Sequence, residues 1–142
     1  MEISIVPPGQ VAGLVPALLP YLEESSAWTR GRATTDDLLR MVLNNQMQLW
    51  VVLDKDSIYG HVITEIKTYP QCKMLTVQYC AMKPWTMELI SEKMHATAER
   101  FARDVGCAGI EFVGRPGWRN VAKEQGYEVQ SVVYQKFFKE KS

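Results

Sequence analysis

The sequence predicts a single α/β (α+β) domain in which helices cover both faces of one mixed, mostly antiparallel sheet. Three observations carry that expectation. Short strand-like runs rich in β-branched and aromatic residues recur at 2–6, 47–53, 58–67, 73–81, 108–113 and 128–138. Apolar residues at helical spacing occupy the intervals between several of them. A chain of 142 residues is close to the commonest size for one hydrophobic core, so residues 1–142 are expected to form one domain.

Each element has its own signal. Residues 2–6 alternate polar and apolar and stop at Pro7-Pro8, which marks a short first strand. Val11, Leu14, Val15, Leu18, Leu19 and Leu22 then step at helical spacing, and Pro16 and Pro20 among them predict a kinked or split helix. Residues 25–33 lack an apolar period and predict a loop. Thr35 is the expected cap of a second helix, with Asp36 and Asp37 in its first turn, Leu38, Met41 and Val42 on its buried face, and Asn44-Asn45 at its end. The runs 47–53 and 58–67 flank the turn Asp54-Lys55-Asp56-Ser57 and predict a hairpin, followed by a strand at 73–81. Met87, Ile90, Met94, Ala98, Phe101 and Val105 mark a long helix over 86–105 that Gly106 ends. A strand at 108–113, a short helix at 118–125 closed by Gly126, and a last strand at 128–138 lead to a Lys-rich tail. The predicted order is β-α-α-β-β-β-α-β-α-β.

Composition narrows the function classes. Sixteen basic and sixteen acidic side chains cancel, which argues against a strongly basic nucleic-acid protein. The three cysteines, Cys72, Cys80 and Cys107, have no CxxC spacing, and the two histidines, His61 and His95, are far apart, so neither a disulfide framework nor a metal site is expected. No run reaches the roughly 18 apolar residues of a membrane span, and a cytoplasmic protein is the expectation.

The element order, together with residues 117–128, GWRNVAKEQGYE, in which Gly126-Tyr127 forms a Gly-aromatic pair, resembles the GNAT superfamily of acyl-coenzyme A N-acyltransferases over nearly the whole chain. The resemblance implies a GNAT-like sheet whose fourth and fifth strands splay around the pantetheine arm of acetyl-CoA. It places cofactor binding at Val77, Tyr79, Ala81 and Met82 of the fourth strand and at Lys83 and Thr86 before the long helix, where unpaired N–H groups and the helix dipole favour a diphosphate. An acetyl group would pass to an amine on a small molecule or a protein partner, with a base removing the amine proton.

The sequence departs from the family at two positions. The family's phosphate loop has the pattern Q/R-x-x-G-x-G/A, and the corresponding stretch, Met82 to Met87, has no glycine and carries Pro84 and Trp85. Lys83 offers a compensating point charge, and the alternative is a plain strand-to-helix turn. The family's usual general acid, a tyrosine four residues before the final glycine, is Ala122 here, which leaves Tyr134 as a candidate beside its plainer role as a strand packing residue. Glu65, in the third strand, and Glu111, between Ile110 and Phe112 in the fifth, are the candidate bases; each also fits the polar face of a strand.

Arg30-Gly31-Arg32 and Arg115-Pro116-Gly117-Trp118-Arg119 are candidate anion or partner loops if they converge over the cleft, and solvated loop arginines otherwise. Cys80 is expected to be a buried, inert thiol. The departures leave a second function open, a catalytically degenerate GNAT-fold protein that binds a partner. Residues 114–118, GRPGW, and the altered loop resemble compact GNAT-like proteins encoded by tailed bacteriophages, which extends that second expectation to a virion-associated or host-directed role.

Overall fold

The computed structural model describes residues 1–138, so the Lys-rich tail lies outside the described residues. One five-stranded sheet runs in chain order: β1 (Glu2–Val6), β2 (Gln48–Asp54), β3 (Ser57–Thr68), β4 (Lys73–Met82) and β5 (Gly109–Phe112). β1 to β4 pair antiparallel, and β5 pairs parallel with β4 after the crossover helix α3 (Thr86–Asp104). The sheet is mixed and mostly antiparallel, with the fold class the sequence predicts.

Alternation along the strands builds two cores. Leu49, Val51 and Ile63 pack with Val11, Leu18 and Leu22 of α1 (Pro8–Trp28) and Leu38 and Val42 of α2 (Thr35–Leu43). Trp50, Val62 and Cys80 point to the other face, against Met87, Met94 and Phe101 of α3. The Trp50 indole meets the Phe101 ring edge-on at 5.2 Å and donates to Thr64 Oγ1 at 3.0 Å, so its polar atom is satisfied inside the core. Burial on both faces explains why β2 reads as a nearly continuous apolar run.

Several boundaries differ from the sequence expectation. α1 is one helix from Pro8 to Trp28 and absorbs both prolines and residues 25–28 of the expected loop. Pro16 and Pro20 are exposed one turn apart, so the carbonyls left without donors, those of Ala12 and Pro16, lie on the solvent side. The cap of α2 is Thr34, which forms a capping box with Asp37, rather than Thr35. The short C-terminal helix divides into a single 3-10 turn (Pro116–Trp118) and α4 (Arg119–Glu124).

The largest correction is the last strand. Residues 128–138 form no strand, and Val129, Val132, Val133, Tyr134, Phe137 and Phe138 are 59–90% exposed. The alternation that marks a strand pays its ordering entropy only when a neighbouring strand takes up its hydrogen bonds. Here the segment instead contacts the α1–α2 loop, where Arg32 donates to Gln135 Oε1 at 2.8 Å and stacks over the Phe137 ring at 5.1 Å.

Candidate active site

β4 and β5 separate partway along their length. Their register runs Met74–Gly109, Leu75–Ile110, Thr76–Glu111 and Val77–Phe112, after which β4 continues alone on that side to Met82. On its other side, β4 pairs with β3 from Lys73 to Met82, with one irregularity: Ile63 faces Tyr79 and Thr64 faces Val77, so Gln78 is an extra residue. A bulge bends and twists its strand, and this one falls where the β5 pairing stops. Past Val77, β4 thus has an unpaired edge on the β5 side, a wedge in the strand pairing.

Strand alternation decides which backbone groups face the opening. The Lys83 N–H donates to Tyr59 O at 2.8 Å, which turns Lys83, Ala81 and Tyr79 toward β3. The Cys80 carbonyl points the other way and accepts from Arg115 Nη2 at 3.1 Å. The groups at the opening therefore belong to Cys80 and Met82. Tyr79 and Ala81 face β3 instead, and Val77 sits in the last paired position. Of the fourth-strand residues that the resemblance singles out, Met82 is on the open side, whereas the bulge at Gln78 turns Tyr79 and Ala81 toward β3.

Arg115 spans the gap. Its guanidinium lies 4.4 Å from the Trp28 ring centroid and 4.8 Å from that of Trp118, with Glu24 Oε1 3.9 Å from Nη1. Gly114 permits this loop path, since a Cβ there would sit 2.7 Å from the Phe112 ring and 3.1 Å from Trp118. Of the arginine loops singled out in the sequence, Arg115 reaches the cleft, whereas Arg32 turns to the C-terminal segment.

The turn into α3 is tight. The Thr86 N–H donates to Lys83 O at 3.2 Å, Pro84 has no N–H, and Trp85 adopts φ 71° and ψ −8°, as at the third position of a type II turn. That left-handed conformation is strained for tryptophan, and glycine would adopt it freely. Trp85 is 78% exposed and does not plug the opening. The amides of Lys83 and Thr86 are thus both engaged internally, leaving Met87 and Glu88 to supply first-turn donors. The Lys83 ammonium lies 4.7 Å from the Tyr59 ring centroid, Thr86 is buried, and the Glu88 carboxylate opposes an anion at this end.

Beside the paired end of the wedge, three strands contribute one row of polar side chains. Thr76 is the register partner of both Glu65 and Glu111. Glu111 Oε1 accepts from Tyr69 at 2.5 Å and from Thr76 at 2.9 Å, while Glu65 Oε2 accepts from Gln78 at 3.4 Å. The bond to Glu111 pushes the Tyr69 phenol above its ordinary pKa. Tyr134 is 90% exposed and has no hydrogen-bond partner among the described residues. Burial pushes the Cys80 thiol up to about 12, which suits an inert core residue. His61, hydrogen-bonded through Nε2 to Ser25 at 2.8 Å, is driven down to about 4 by burial, so it is neutral near pH 7. Among the described residues no group of side chains could hold a metal ion, and no helix is long and apolar enough to cross a membrane.

No family model and no curated protein matches the sequence. Solved structures do match in fold. An aminoglycoside acetyltransferase from an uncultured soil metagenomic sample, in complex with sisomicin, has a TM-score of 0.72 at 13% identity, over 99% of this chain and 96% of that one. A ribosomal-protein-alanine N-acetyltransferase from Brucella melitensis biovar Abortus 2308 has a TM-score of 0.71 at 11% identity, over 97% and 100%. A predicted acetyltransferase with acetyl-CoA from Clostridium acetobutylicum has a TM-score of 0.67 at 12% identity, over 94% and 95%. The chain has the GNAT fold, in a divergent form.

Proposed function

We propose that this GNAT-fold chain is an acyl-CoA-dependent N-acyltransferase that takes an amine as acceptor. The wedge between β4 and β5 is the observation that carries the proposal, because it leaves the backbone of β4 from Gln78 to Met82 without a strand partner on the β5 side. Buried peptide groups require partners, and an extended amide-bearing arm supplies them as an added strand would. The Arg115–Cys80 hydrogen bond supports the fit, since a donor already occupies the place such an amide would take.

The fit is uneven along the cofactor. Cys80 and Met82 suit a pantetheine arm, whereas the turn at Lys83–Thr86 lacks the glycine cradle and, with Thr86 buried and its amide engaged, leaves the Lys83 ammonium and the amides of Met87 and Glu88 to hold the diphosphate. When bound, acyl-CoA supplies an acyl group activated as a thioester. The chain's own task is to position the amine and take its proton. Glu111 is suited to this: Oε1 is held by Tyr69 and Thr76, and Oε2 has no protein donor among the described residues. Glu65, across Thr76, is the second candidate base. Tyr134 enters this scheme as a proton donor only if residues 128–138 move toward the wedge. Amine acceptors named for structures of the same fold, an aminoglycoside and a ribosomal-protein alanine, are the first to try.

Calorimetric titration with acetyl-CoA, followed by a thiol-release assay with sisomicin and with an alanine-terminated peptide, tests the proposal. Micromolar binding and amine-dependent thiol release are expected. Absence of binding at millimolar acetyl-CoA overturns it and favours a scaffold that keeps the fold for partner binding, the reading that the glycine-free turn supports.

A further inference from the structure

Arg115 does something that a loop arginine ordinarily does not. It leaves the β5–α4 connection, crosses the opening and donates to the backbone of the strand on the far side, at Cys80 O. Two indoles, from the end of α1 and from the 3-10 turn, sandwich its guanidinium, and Glu24 stands 3.9 Å away. Three separate elements thus hold one cation at the spot where β4 has an unpaired acceptor.

We infer that Arg115 is an internal plug of the acyl-CoA cleft, a residue that sets cofactor affinity by competing for the Cys80 carbonyl. The inference rests on the acyltransferase reading. A carbonyl facing a gap in the sheet would be unsatisfied, and a charged donor satisfies it well. An incoming pantetheine arm needs the same strand edge, so Arg115 must leave Cys80 for the arm to lie along β4. Departure is feasible because the hydrogen bond to Cys80 is its only one to β4 and its side chain is 28% exposed, within reach of water. Glu24, 3.9 Å from Nη1, gives the guanidinium a partner to turn to once that bond is broken.

The competition has a measurable sign. Removing the plug leaves the strand edge free at no cost to the incoming arm, so Arg115→Ala should bind coenzyme A about tenfold more tightly than the unaltered chain, the equivalent of one charge-assisted hydrogen bond. Trp28→Ala, which removes one face of the sandwich at an exposed position, should tighten binding by a smaller factor and serves if Arg115→Ala does not fold. Coenzyme A should also shift the tryptophan emission of the unaltered chain, and Arg115→Ala should lose most of that shift. Calorimetry with coenzyme A on the three proteins separates the outcomes. Equal affinities overturn the plug and leave the acyltransferase reading standing. Weaker binding by Arg115→Ala overturns the plug and makes the arginine a cofactor ligand. No binding by any of the three overturns both.

Discussion

From Met74 to Val77, β4 has a strand on each side, whereas from Gln78 to Met82 it has one. The faces of the two halves do not differ in the same way: Leu75 is fully buried in the first, and Cys80 and Ala81 are nearly so in the second. The wedge is therefore a break in strand pairing beside partly covered side chains, and its unmet requirement is backbone hydrogen bonding. Stability should accordingly reside in the side chains of the closed half, and ligand response in the backbone of the open half.

The sharpest way to break this comparison is at Leu75. Leu75→Ala should cost about 2–5 kcal/mol by urea denaturation, the usual range for truncating a buried leucine. A loss below about 1 kcal/mol would remove the claim that the closed half anchors the sheet. A glycine at the far end probes the same seam: a Cβ on Gly60 would lie 2.5 Å from Ala81 O, so Gly60→Ala should cost about 1–3 kcal/mol by pushing β3 off the open half.

His61 sharpens the picture through pH. Its folded pKa of about 4 lies below the unfolded value, so its neutral form contributes stability that is complete above about pH 6.5 and falls as pH drops toward 4. Between pH 7 and pH 5 the loss should be roughly 2 kcal/mol. His61→Gln should flatten that slope, and an unchanged slope would assign it to other groups. Smallest of all, Trp85→Gly should raise stability by about 0.5–1 kcal/mol, because relief of the left-handed strain exceeds the entropy glycine adds to the unfolded chain. Destabilisation instead would mean that the indole makes contacts that outweigh the strain.

Much of this molecule is legible in its sequence. Period and punctuation locate β1 to β5, α2 and α3 to within a few residues, because each has a covered face that selects its own pattern. The prolines of α1 mislead, since their cost depends on which way the orphaned carbonyls face, and Pro16 and Pro20 both face water. The segment 128–138 misleads in the opposite sense: alternation records a capacity to pair, while pairing needs a neighbour. At the site, Glu65 and Glu111 are visible as strand carboxylates, but their meeting through Thr76 depends on register across three strands. The bulge at Gln78 leaves no local signature, so the replacement of Tyr79 and Ala81 by Cys80 beside the already expected Met82 emerges only from the pairing. Arg115 is visible as a residue, and its reach to Cys80 is not, because 35 positions separate them.

The stretch after Tyr127 has a practical consequence. Tyr134, Phe137 and Phe138 stand in water on backbone with no strand or helix to protect it, which is the form of chain that a chymotrypsin-like protease accepts in its groove. Brief digestion should nick the protein there first, shortening it near its end while the sheet and the Arg115 bridge stay whole.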